Sequence, residues 1–492
     1  MPCSQFSYLF AVSDNPFPEA DEIEIYRAYG NVNEVSEVFR RIKKEKIPLD
    51  EVLVCYTHGS TYIPLIYSAV AALNIPVTFA EGVPIFLTRP GKFINSLLSW
   101  LEDNCSVSWI TRLLNGGFMN ISRGNILAQL LRESGVGWGP ERYSTCLKSM
   151  MDQLEEKVKI AAKKGSERKK EYLMTRLEQV GYLNDVLQDF LLNTSEFSYE
   201  EKINTAAFCD GLSSLVKKYA AVKSPEDAAA LGSLLQELED AAGFFPKPIS
   251  GRAVLKTLKG RIKSLMAGSS GPEPGFLHLT PFTRREAVQR SNTFIIGLDS
   301  NSFPGKGLQD PILLDNERER ISQNLFLRSA ELERNVHNLA SFLASRRGKM
   351  FLSFSCYDPV EGRPLNPTPL LLQVYRLKQR KPYADYSKFL CFLPSPSCYF
   401  SSEEKAVLGE DDAWLHLTLS KKHYAGSLSE VCSCYHGLGQ GIRAEEARSS
   451  LELTAYDGKI TIDPGKVDPR LNSRKSISVT GMEFLAKCPF AY

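Results

Sequence analysis

The stretch Ser291–Arg320, SNTFIIGLDSNSFPGKGLQDPILLDNERER, constrains this chain most. Phe294-Ile295-Ile296 is an apolar run short enough for a buried strand. Gly297 ends the run, and Leu298-Asp299 leads into a loop that carries Phe303-Pro304-Gly305 and Pro311. The charged segment Asp315–Arg320 then starts a helix. A strand ending in glycine, an acid at its carboxyl end and a long loop mark the side on which open α/β sheets place their ligands. The expected fold class is α/β with a parallel sheet.

The flanks supply partners for that strand. Glu22–Tyr26 alternates polar and apolar, as a half-buried strand does. Asn33 is a candidate cap for a helix through about Lys44, with Val35, Val38, Phe39 and Ile42 at helical spacing. Val52–Tyr56 reads as a strand, about Tyr62–Leu73 as a helix, and Asn74–Thr78 as a short strand. This order predicts parallel α/β units. From a helix at about Lys92–Leu101 to about Lys263 the pattern is almost entirely helical, punctuated by Gly and Pro. Gly268–Gly275 is a flexible exit loop, after which Phe276–Leu279, a helix at about Ser329–Ser345 and a strand at Met350–Phe354 resume the α/β pattern. Residues 366–475 read as a connector containing a helix at Pro369–Leu377.

Composition bounds the chemistry. The 492 residues suggest about three or four domains. With 43% hydrophobic and 24% charged residues the chain has the make-up of a soluble globular protein. The formal net charge of +2 requires any nucleic-acid contact to come from a local patch. No apolar stretch reaches the roughly 18–20 residues of a membrane span, and the start, MPCSQFSYLFAVSDNPF, is a poor signal peptide. Eleven scattered cysteines fit a reducing cytoplasm.

A phosphate-cradling loop needs glycines ending in Gly-Lys-Ser/Thr. Gly305-Lys306-Gly307 and Gly91-Lys92-Phe93 lack the hydroxyl and the spacing, and Asp50-Glu51 precedes its strand instead of ending one. Asp299, Asp310 and Asp315 are expected in turn and cap roles. Cys432-Ser433-Cys434-Tyr435-His436 lacks the usual zinc spacing and a second pair. Lys157, Lys159, Lys163, Lys164, Arg168, Lys169 and Lys170 interleave with Glu155, Glu156, Glu167 and Glu171, as on a solvated helix face. Arg284, Arg285 and Arg290 are less neutralised. Trp100, Trp109 and Trp138 are assigned to core packing ahead of base stacking.

The central block resembles the superfamily 1 helicase segment that reads roughly "VVFIVGLDEGxFP". Its extension, matching "GxxDPxLLxxxER", looks like that of AddB/RexB-type subunits of bacterial ATP-dependent helicase–nucleases. Val52–Tyr56 and Ile75-Pro76-Val77 resemble that class's "IAVLYR" and "IPY" phrases, although Thr57-His58 stands where the family carries an Arg. Ile477–Tyr492 is similar to the first helix of RecB-like PD-(D/E)XK nucleases, "S.S.LE.Y..CPF.YF".

The resemblance implies a UvrD-like second RecA-like domain, residues 1–90 and 271–365. It also implies a helical insertion at 91–270, a connector at 366–475, and the start of a nuclease domain at 476–492. By the same resemblance Glu34 and Arg346 are remnants of a nucleotide site. His278, Arg284, Arg285, Arg290, Arg347 and Lys349 are DNA-binding candidates, and Cys488 matches the first ligand of a 4Fe–4S cluster. The implied setting is DNA double-strand-break repair and recombination, in the cytoplasm, with DNA and an AddA-type subunit as partners. A whole protein of this type would use Mg2+, ATP and the cluster. No cofactor and no ATPase or nuclease activity are expected of this chain by itself. Two other readings stay open: a truncated metal-dependent DNA exonuclease, and an α/β protein-interaction module unrelated to DNA.

Overall fold

The computed structural model describes residues 23–487 apart from 245–247, 285–287, 306–308, 400–402, 420–431, 434–435, 455 and 457–477. The chain divides into two compact units, Met1–Asp412 and Ala413–Tyr492.

The first unit is built on a six-stranded sheet: β1 (Ile23–Ala28), β2 (Val52–Tyr56), β3 (Val77–Phe79), β4 (Leu277–Pro281), β5 (Asn292–Ile296) and β6 (Lys349–Ser355). The strands lie in the order β1-β6-β5-β2-β4-β3, and every neighbouring pair is parallel. The FIIG run forms β5, inside the sheet, where Phe294 stands opposite Phe351 of β6 and Val54 of β2. The Phe294 and Phe351 rings stack with centroids 4.2 Å apart. All of β2 is buried, as its unbroken apolar sequence requires of a strand covered on both faces.

Successive side chains alternate between two layers. Val52, Val54, Tyr56, Phe294, Ile296 and Phe351 face the layer of α1 (Gly30–Glu45) and α2 (Gly59–Leu73). Leu53, Cys55, Ile295, Leu352 and Phe354 face the opposite layer. The chain steps across the sheet one way through β1, β2 and β3 and returns through β4, β5 and β6, so its crossovers fall on both faces. The helix expected from an Asn33 cap begins earlier. Tyr29 is the N-cap residue, and Asn33 lies inside α1 with Nδ2 donating to the Tyr29 carbonyl.

Between β3 and β4 the chain makes an all-helical excursion: α3 (Arg89–Glu102), α4 (Val107–Asn115), α5 (Gly124–Glu133), α6 (Pro140–Lys163), α7 (Glu167–Asn193), α8 (Thr205–Tyr219), α9 (Pro225–Phe244) and α10 (Gly251–Ser264). Its two ends meet as an antiparallel pair, Val83↔Ala267 and Pro84↔Met266. Thr88 caps α3 by accepting a hydrogen bond from the Gly91 amide. Trp100 is fully buried, donating to the Tyr143 hydroxyl at 3.0 Å and meeting Phe190 edge-on. Trp109 is half-buried against the same core, whereas Trp138 is 60% exposed.

After β5 come α11 (Asp315–Ile321), α12 (Glu331–Ala344), and, beyond β6, α13 (Pro369–Gln379) and α14 (Tyr386–Phe392). Leu339, Phe342, Leu371, Val374 and Phe389 share one cluster with Ile25, Leu53, Ile295 and Leu352. The first part of the segment expected as a connector is therefore a layer of the sheet unit. Next, Ser397 lies beside β1 as a parallel bridge to Ala28, accepting from the Tyr29 amide and donating to the Arg27 carbonyl. The buried Arg40 of α1 fastens this strap through the carbonyls of Cys398 (2.7 Å) and Tyr399 (3.1 Å) and through Asp412. The second unit contains helices at His436–Ser449 and Val479–Lys487. Cys488 and Arg285 lie outside the described residues. Among the described residues no helix is long and apolar enough to cross a membrane.

Candidate functional site

Parallel strands gather their carboxyl ends on one edge, and ligands bind where neighbouring strands send their connections to opposite faces. Here that point lies between β5 and β2, since α2 packs on one face and α12 on the other. Gly297 follows β5 with φ +84°. A Cβ there would stand 2.3 Å from Thr57 Oγ1 and 2.7 Å from Tyr62 Cε2, so only glycine fits. Thr57 Oγ1 donates to the Gly297 carbonyl at 2.9 Å, joining the two strand ends directly.

Glu34, from α1, is fully buried beneath this junction. Its Oε1 accepts from the Gly297 amide (2.9 Å) and Ser353 Oγ (2.5 Å), and its Oε2 accepts from the Tyr62 hydroxyl (2.7 Å). Tyr62 lies 3.4 Å from Asn31 Oδ1. One carboxylate thus ties together α1, α2, β6 and the end of β5. Burial pushes its carboxyl up to about 7, against the opposing pull of the bonds from Ser353, Gly297 and Tyr62; Asp299 adds repulsion. Burial likewise holds the Tyr62 phenol well above its usual range. Asp299 orders the following loop, its Oδ1 accepting from the amides of Asn301 (2.9 Å) and Ser302 (3.0 Å). Among the described residues, Thr57, Tyr62 and Glu34 thus occupy the junction of β5 and β2, and both oxygens of Glu34 accept hydrogen bonds from the chain itself.

Arg346 lies at the other edge of the sheet, just before β6. It is 3% exposed, with Nη1 on the Val288 carbonyl, Nη2 on Ser345 Oγ at 2.9 Å, and its guanidinium 4.3 Å from the Phe342 ring centroid. The structure does not bring Glu34 and Arg346 together.

The DNA-binding candidates are also dispersed. His278, in β4, is buried, with Nδ1 2.8 Å from Thr78 Oγ1. Arg284, at the carboxyl edge, is exposed and donates to the Ala80 carbonyl at 2.7 Å. Arg347 is exposed at the amino edge. Lys349 is paired with Glu24 (2.7 Å) and Glu45 (2.8 Å). Arg290 is buried, and its Nη1 donates to the carbonyls of Leu49 (2.9 Å), Val52 (3.0 Å) and Phe276 (2.6 Å). It clasps the segments leading into β2 and β4. Arg290→Ala would orphan these acceptors and is expected to destabilise the chain by about 3 kcal/mol, seen as a lower urea midpoint. Arg290→Lys should recover only part of this, because an ammonium cannot reproduce the fork.

Tyr62 and Ser353 were not singled out by the sequence. The available signal was Ser353 itself, a hydroxyl inside the apolar run Met350–Phe354. Among the described residues no three His, Cys, Asp or Glu side chains are grouped to hold a metal ion. No protein-family model matches this chain, and no curated protein matches it.

Proposed function

We propose that this chain is the helicase-like, DNA-binding and scaffolding part of an AddB-type helicase–nuclease, acting with an AddA-type subunit in double-strand-break repair and recombination. In this reading the sheet is a UvrD-like RecA-type domain that has kept its framework and lost its motor. The observation that carries the lost motor is the junction of β5 and β2 at the carboxyl edge, where Thr57 and Glu34 bond to Gly297 and Tyr62 to Glu34 instead of standing free for a ligand. The buried, hydrogen-bonded Arg346 supports the same conclusion, because a guanidinium must be free to reach a γ-phosphate. The family reading rests on the FIIGLDSNSFPG block, placed in the interior strand β5 and its loop, and on the helical excursion between β3 and β4.

The purified chain is expected to hydrolyse ATP no faster than a buffer blank, with or without DNA. It is also expected to shift DNA in a gel at low salt and release it as salt rises. Turnover above background would remove the lost-motor claim, and no shift at low salt would remove the DNA claim. Degradation of DNA on adding Mg2+ would favour the exonuclease reading. One observation favours the interaction-module reading: large apolar side chains stand exposed at both ends of the charged α11, Ile312 (90%) and Leu314 (40%) before it and Ile321 (66%) at its end.

A further inference from the structure

The antiparallel hairpin α6–α7 ends in a tip where α6 stops at Lys163 and α7 begins at Glu167. Residues 157–170 hold seven cations (Lys157, Lys159, Lys163, Lys164, Arg168, Lys169 and Lys170) and a single acid, Glu167. Residues 162–169 are all exposed. Ala161 and Leu173 are buried, so the core of the helical excursion reaches the turns just before the tip. Glu155, Glu156 and Glu171 flank the tip on its base side. Within the tip, the ion pair among the described residues is Lys170–Glu167 at 3.4 Å.

The helix ends explain only a small part of this charge. Lys163 at the carboxyl end of α6 complements the negative end of that helix. Arg168 and Lys169 do the opposite. They sit in the first turn of α7, against the positive end of its macrodipole, with Lys163 and Lys164 close in sequence. Glu167 at the start of α7 offsets part of this repulsion, and an external polyanion would offset the rest.

The tip also indicates the kind of polyanion. Residues 162–169, AKKGSERK, carry no apolar side chain larger than alanine, and among the cations of 157–170 a single large apolar side chain, Ile160 (45%), is exposed, whereas an interfacial membrane helix needs an apolar face and a protein hot spot a buried aromatic or aliphatic anchor. One aromatic, Tyr172 (60% exposed), stands just beyond the cations and accepts from Arg176 at 3.1 Å, whereas stacking successive unpaired bases takes a row of such rings. We infer that the α6–α7 tip docks on the phosphate backbone of duplex DNA without reading sequence. This rests on the DNA-binding function proposed above and assigns it a surface remote in sequence from the arginines around β5.

The test measures binding of the whole chain to a fluorescent duplex of about 30 base pairs, over about 50–200 mM salt. Two variants are compared with it. One carries Lys163→Gln, Lys164→Gln, Arg168→Gln and Lys169→Gln, and the other the same four positions changed to Glu. Both are expected to fold, since all four positions are exposed and the relief in the first turn of α7 offsets the loss of Lys163 at the carboxyl end of α6; melting temperatures close to that of the parent report this. Each lost phosphate contact lowers the slope of log affinity against log salt by about 0.9, so the Gln variant should lose about 3–4 in slope and about ten-fold or more in affinity. A parent that binds and a Gln variant with unchanged affinity and slope would overturn the tip assignment alone. A parent that binds no duplex at about 50 mM salt would overturn both this assignment and the DNA-binding function. Tighter binding of the parent to phosphatidylserine vesicles than to duplex, lost in the Gln variant, would replace DNA by a membrane surface.

Discussion

Gly297→Ala is expected to lower stability by at least about 3 kcal/mol, read as a shift of the urea midpoint at unchanged slope. Two costs combine. A φ of +84° strains any residue with a Cβ, and the new methyl would overlap Thr57 Oγ1 and Tyr62 Cε2. Relief would require moving Tyr62, whose hydroxyl serves Glu34, so the damage spreads to the buried carboxylate. Adding Thr57→Ala should recover only part of the loss, because the Tyr62 ring remains. A Gly297→Ala chain that unfolds at the parental midpoint would contradict the close junction described for β5 and β2.

Glu34 governs the second large effect, and its sign is opposite to that of an ordinary salt-bridged acid. Its folded value of about 7 lies above the ordinary 4.5. Between these values the folded chain holds a proton that the unfolded chain has released, so stability falls as pH rises from about 4.5 to about 7 and then levels off. At about 1.4 kcal/mol per pH unit, the difference amounts to about 3 kcal/mol. Glu34→Gln keeps an acceptor for Gly297 and Ser353 and offers its amide to the Tyr62 oxygen, but cannot ionise. It should therefore match the parent near pH 4, exceed it near pH 8, and show a flatter profile between. Glu34→Ala instead leaves the Gly297 amide and the Ser353 and Tyr62 hydroxyls without their shared acceptor, and should lose about 3 kcal/mol or more at any pH. Parallel parent and Glu34→Gln profiles in urea titrations from pH 4 to pH 8 would refute the assignment.

Much of the framework was legible because it depends on local pattern. Val52–Tyr56 is a strand in both sequence and structure, since five buried residues in a row leave little else for such a segment to be. The helices between β3 and β4 are legible for a similar reason, a helical pattern broken only at Gly and Pro, as at Gly139-Pro140 where α6 starts. The candidate site was hardly visible. Glu34, Tyr62, Gly297 and Ser353 come from four separate stretches and meet only once the strands are ordered. The cations mislead in another way. Sequence shows charge but not exposure, so Arg290 read as a free guanidinium although three carbonyls claim it. The helical hairpin shows the converse. A charge run whose acids sit at its two ends along the chain is shown by the fold to be an exposed hairpin tip, because the turn between α6 and α7 falls in the middle of its cations.

The narrow antiparallel neck formed by Val83–Pro84 and Met266–Ala267 has an evolutionary consequence. All that lies between leaves and rejoins the sheet unit one inter-strand spacing apart, about 5 Å. A lineage can lengthen, trim or exchange the helical part without changing the register of any strand, because β3 and β4 are already neighbours below the neck. The sheet and the helices can then be inherited at different rates, one held by internal fit and the other free to follow whatever it touches.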